Sequence, residues 1–101
     1  MFVIEGPYRS IEDVPAAQTD QVLGGVGAIG DIIKRLICRV ATAATSQVLI
    51  QDGAGTAVEV LAANTPVGTY TVELEVESLA GAWSVTTAAG VAVTAIGKFS
   101  A

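Results

Sequence analysis

TYTVELEVES, residues 69–78, alternates without a break. Tyr70, Val72, Leu74 and Val76 fall on one side, and Thr71, Glu73, Glu75 and Glu77 on the other. A repeat of two is that of a pleated strand, with one face for a core and one for water. A helix would spread these four apolar residues around its circumference. Strands and turn signals continue on both sides of this segment. Upstream, IIKRLICRV (32–40) is a long strand with Ile32, Lys34, Leu36, Cys38 and Val40 on one face and Ile33, Arg35, Ile37 and Arg39 on the other. VLIQ and AVEVLA flank Asp52-Gly53-Ala54-Gly55, and Asp-Gly between two apolar runs predicts a hairpin. Downstream of Gly81, AWSVTT predicts a short strand with Trp83 and Val85 inward. After Ala89-Gly90, VAVTAIGKF predicts a last strand with Val91, Val93, Ala95, Gly97 and Phe99 on one face. About six strands at short spacing predict an all-β antiparallel sandwich or barrel over residues 30–101.

Residues 1–29 read differently. Pro7 and Pro15 interrupt any regular element, and polar and acidic residues are interleaved without period. We expect an extended N-terminal arm over 1–29, with a short helical turn allowed at Ser10-Ile11-Glu12-Asp13. The arm ends in GVGAIGD, where Gly25, Gly27 and Gly30 match the G-x-G-x-x-G spacing of dinucleotide-binding proteins. That motif needs a strand before it and a helix after it. Here a strand follows, so the glycines are read as backbone joints.

Composition narrows the function classes. The chain has 101 residues, enough for one core, with 51% hydrophobic and 15% charged residues and a net charge of −5. Few charges on a small apolar domain suggest surface buried against other chains. Five cations against ten acids do not suit a phosphate-tracking surface, so no nucleic acid partner is expected. No histidine is present, and the one cysteine, Cys38, leaves no Cys/His zinc set and no Ser-His or Cys-His nucleophile pair. No cofactor and no enzymatic activity are expected. Residues 78–97 carry no charge but hold glycines and threonines in strand alternation, so a membrane span is not expected. MFVIEGPYRS has neither a basic n-region nor a long apolar stretch, so no signal peptide is expected.

Three residue groups invite a chemical reading. Glu73, Glu75 and Glu77 could bind Ca²⁺ or act as a carboxylate pair, but a solvated strand face explains them more simply. Their mutual repulsion calls for cations opposite, and Arg35 and Arg39 are spaced to supply them within the chain or across an interface. Asp52-Gly53-Ala54-Gly55-Thr56 lacks the acid spacing of a calcium loop. Cys38 and Trp83 are read as core residues.

From Gly27 to Phe99 the sequence runs GAIGDIIKRLICRV, then VLIQDGAGTAVEVLA, then TVELEVESLAGAWSVTTAAGVAVTAIGKF. This resembles small tailed-bacteriophage virion proteins of head-decoration, cement or fibre type. The telling pieces are the GAIGD run before a strand, the DGAG hairpin and the GAWSVTTAAGVAVTAIG ending. The resemblance implies a β-sandwich or barrel of jelly-roll type, no catalysis, and an N-terminal attachment arm. It implies a subunit on the capsid exterior, made in the host cytoplasm, contacting the major capsid protein or other virion proteins. A homo-oligomer, dimer or trimer, is expected. Contacts are expected from Phe2, Val3, Ile4 and Tyr8 in the arm and from Arg35 and Arg39. The alternative is a carbohydrate- or receptor-binding sandwich of a phage fibre, which would need an exposed aromatic platform such as Trp83.

Overall fold

The strand alternation of residues 69–78 sets one wall of a two-layered all-β fold. The structure, a computed structural model, describes residues 10–24, 29–42 and 46–99. Eight strands follow in chain order: β1 (Ser10–Val14), β2 (Gln21–Val22), β3 (Ile32–Val40), β4 (Val48–Asp52), β5 (Val58–Leu61), β6 (Gly68–Glu77), β7 (Trp83–Thr86) and β8 (Val91–Lys98). They form two four-stranded sheets, β1-β8-β3-β6 and β2-β7-β4-β5, in which every pairing is antiparallel. No helix occurs among the described residues.

The pairings are nested. The first strand lies beside the eighth, the second beside the seventh, the third beside the sixth and the fourth beside the fifth. Two further ladders, β3 with β8 and β4 with β7, join these pairs into sheets. The β4–β5 pair is the predicted hairpin, and the Gly55 N–H closes its turn on the Asp52 carbonyl at 2.8 Å.

The core lies between the sheets. Leu36, Cys38 and Val40 of β3, Val91, Val93 and Ala95 of β8, and Val14 of β1 face Val48 and Ile50 of β4 and Trp83 and Val85 of β7. Tyr70, Val72 and Leu74 pack on its margin from the edge strand β6. Small and β-branched side chains suit this flat space, because their χ1 is restricted before folding and costs little to fix.

Three expectations are revised. Residues 10–14 and 21–22, expected within the arm, are the edge strands β1 and β2, which raises the count from about six to eight among the described residues. Ser10 starts a strand rather than capping a helical turn. A helix there would forfeit the ladder from Ser10–Gly97 to Val14–Val93. The strict alternation expected for β3 breaks at Lys34, where the register shifts between Ile33 and Arg35. Ile33, not Ile32 or Lys34, therefore joins Leu36, Cys38 and Val40 in the core. The same irregularity appears in β6, where Glu75 adopts φ 57° and Val76 turns out to 42% exposure instead of completing the inward row. Residues 1–9, with Phe2, Val3, Ile4 and Tyr8, and Gly25 and Gly27 of the glycine run lie outside the described residues.

Candidate functional site

The outer face of the β1-β8-β3-β6 sheet gathers the charged residues singled out by sequence. Register places Ile11, Ile96, Arg35 and Glu73 in one row across the four strands, and Asp13, Thr94, Ile37 and Thr71 in the next. Arg35 Nε donates to Glu73 Oε1 at 2.6 Å, as the opposed spacing predicts. The second cation on the acidic row is Lys34, bonded to Glu75 Oε1, and not Arg39. Arg39 instead donates from Nη1 to the Thr94 hydroxyl at 2.7 Å, and Thr94 in turn donates to Asp13 Oδ1 at 2.8 Å. The reason is register: Arg39 stands opposite Thr69, beyond the acids, while the bulge at Lys34 turns that side chain outward onto Glu75. The Lys34 bond, followed by its charge, holds the Glu75 carboxyl below the usual range. Sequence periodicity pointed away from Lys34, because nothing in IIKRLICRV marks where a bulge falls.

The Asp-Gly turn does more than reverse the chain. Asp52 accepts backbone N–H bonds from Leu79 at 2.8 Å, Ala80 at 3.1 Å and Gly81 at 3.3 Å. These bonds, Leu79 first, lower its carboxyl below the ordinary value. The turn is pressed so closely on this loop that a Cβ on Gly53 would stand 2.8 Å from backbone atoms of Ala80 and Gly81. A carboxylate occupied by three amides is a structural staple and not half of a calcium loop. Among the described residues no group of three or more His, Cys, Asp or Glu could hold a metal ion. Beside the staple a shallow groove of about 360 Å³ runs along Asp20, Gln51, Gly81 and Ser84. Gln51 Nε2 already donates to the Gly55 carbonyl, and Asp20 Oδ1 accepts from the Thr86 hydroxyl.

The end of GVGAIGD serves backbone geometry in the described part. Gly30 (φ 90°) donates its N–H to the carbonyl and hydroxyl of Ser78 at 3.0 and 3.1 Å. The next carbonyl, Asp31, accepts from the Ser78 N–H at 2.8 Å and from Trp83 Nε1 at 3.1 Å. The strand β3 that follows excludes the helix a dinucleotide motif requires. Trp83 is 6% exposed, so it supplies no aromatic platform for a sugar. Cys38 is fully buried, and burial pushes its thiol up to about 11.

Sequence reasoning missed a clamp on the link from β1 to β2. The Thr87 hydroxyl donates to the Pro15 carbonyl at 2.6 Å and accepts from the Gln18 N–H at 2.9 Å. The Thr86 hydroxyl accepts from the Asp20 N–H at 2.9 Å. The only local sign is an adjacent pair of threonines, which strand propensity already explained. Among the described residues the large exposed apolar side chains are Ile11, Val22, Ile29, Val58, Val67, Val76 and Leu79, and most lie on or beside edge strands. No helix is long and apolar enough to cross a membrane, and residues 83–98 hold the strands β7 and β8. No protein-family model, no curated protein and no solved structure matches the chain.

Proposed function

We propose that the two sheets form a jelly roll and that the chain is a non-enzymatic virion structural protein. It decorates or cements a bacteriophage capsid from the outside, contacting the major capsid protein or other virion proteins and further copies of itself. The observation that carries this reading is the nested pairing of eight strands: first with eighth, second with seventh, third with sixth, fourth with fifth. That connectivity is a long antiparallel ribbon rolled into two sheets, an architecture used by capsid and lectin domains. The step from fold to function is by analogy. It is supported by the sequence resemblance to virion proteins and by a charge-poor surface with apolar residues along the sheet edges. In this reading Phe2, Val3, Ile4 and Tyr8 grip the shell, and Arg35 and Arg39 add polar contacts.

The test is quantitative mass spectrometry of gradient-purified virions of the phage that encodes the chain. The expected result is the chain at a fixed ratio to the major capsid protein, with immunogold label on the particle exterior. Absence from purified particles overturns the proposal.

A further inference from the structure

Each sheet ends in two edge strands, and an uncovered edge invites pairing with another chain. Three of the four edges carry a block. Strand β2 has two residues. Strand β5 has four, with a register shift against β4. Strand β1 points the Glu12 carboxylate toward the interior, where one oxygen is buried without a hydrogen-bond partner among the described residues, and Pro15 follows the strand. A carboxylate forced inward is a known guard against edge pairing. The remaining edge, β6, is ten residues long, and among the described residues it pairs with β3 alone. Its ladder to β3 is continuous from Gly68 to Glu73 and slips before Val76, while inward and outward residues alternate strictly over the seven positions 68–74.

We propose that this segment is a homodimer interface, formed by antiparallel pairing of β6 with β6 of a second copy about a two-fold axis through Thr71. Charge selects the register. With the axis at Thr71 all seven residues pair, Val72 meets Tyr70, Leu74 meets Gly68, and Glu73 meets Thr69. No acid faces an acid. Moving the axis to Glu73 or Leu74 sets Glu73 against itself or against Glu75, and like charges directly opposite are unfavourable. Moving it to Val72 or Tyr70 shortens the ladder to five residues. Glu73 is already neutralised from the β3 side by Arg35, so it adds no net repulsion to the new seam. The result is one sheet of eight strands running through two molecules. An interface of one ladder is small, so the dimer is weak and concentration dependent.

This inference deepens the self-assembling part of the proposed function, yet its test needs no particle, so the two can fail separately. The two-fold axis makes residue 71 its own partner. Thr71 is exposed, and its neighbour on β3 is the uncharged Ile37, so a charge there leaves the monomer intact. Sedimentation equilibrium on the full chain, up to about 1 mM, should show a monomer–dimer equilibrium. Thr71→Glu and Thr71→Lys should each weaken it about fivefold, with unchanged circular dichroism and melting. An equimolar mixture of the two variants should restore dimers, because opposite charges then meet across the axis. A wild-type chain that stays monomeric overturns the proposal. So does a dimer indifferent to both variants, or a mixture that fails to restore it.

Discussion

Besides Glu75, whose carboxyl Lys34 lowers, Cys38 and Asp52 carry ionisations that the fold has moved, and in opposite senses. Cys38 sits between Leu36 and Val40 in the core, where a thiolate would lose its hydration, and burial raises it from 9.0 to about 11 against a smaller opposing pull from Arg39. The folded value lies above the unfolded one. The contribution to stability is therefore complete below pH 9.0 and drains away as pH rises through about 11. Replacing Cys38 with Val should flatten that alkaline limb, read as urea midpoints compared with wild type at about pH 8 and about pH 11. Asp52 shows the reverse. Its carboxyl is lowered by the amides of Leu79, Ala80 and Gly81, so its stabilising effect is present above the unfolded value and is lost as pH falls through the folded one. Asp52→Asn should cost about 1 kcal/mol near neutrality, a figure reduced for solvent screening. The deficit should shrink below about pH 4. Both residues were visible in sequence as a core thiol and a turn acid. The three amide bonds to Asp52 were not, because they join segments 27 or more residues apart.

Among the elements, β3 and β6 show where reading by period two stops. Alternation placed Tyr70, Val72 and Leu74 on the core side, and they pack there. It failed at Lys34, which turns outward onto Glu75 where the ladder slips, and at Val76, which turns out of the inward row. A bulge leaves no mark in a string of strand-forming residues, since its cause is the fit of two sheets rather than local preference. Glu75 occupies the left-handed region at φ 57°, which a residue with a Cβ enters at a cost and glycine does not. Glycine at an ordinary strand position costs about 1 kcal/mol. Glu73→Gly should therefore lower the melting temperature more than Glu75→Gly, although both lose an ion pair. Calorimetry on the two variants checks the order.

Across the whole molecule, the sheets were legible as strands but their partners were not. The all-β class and the 48–61 hairpin follow from alternation and an Asp-Gly turn, both local signals. Strands β1 and β2 were hidden because SIEDV and QV carry no periodic signature. They become strands by pairing with β8 and β7, far along the chain, and by the hold of Thr86 and Thr87 on the link between them. The proposed contacts at Phe2, Val3, Ile4, Tyr8, Arg35 and Arg39 rest on sequence; the structure gives Arg35 an acid partner, Glu73, and Arg39 a hydroxyl partner, Thr94. Most ladders close long loops, so refolding should be slow for a chain of this size, in milliseconds to seconds by stopped flow.

The nested ladder also sets how the molecule bears load. Ser10 lies opposite Gly97, so the start of β1 and the end of β8 lie at the same end of their pair. Tension applied between these two points opens that pair one hydrogen bond after another, like a zipper, and never loads the whole ladder in shear. The direction of pull, more than equilibrium stability, should then decide the breaking force. Optical-trap extension between positions 10 and 98 should peel β1 away at low force. Handles at 53 and 98 should meet higher resistance.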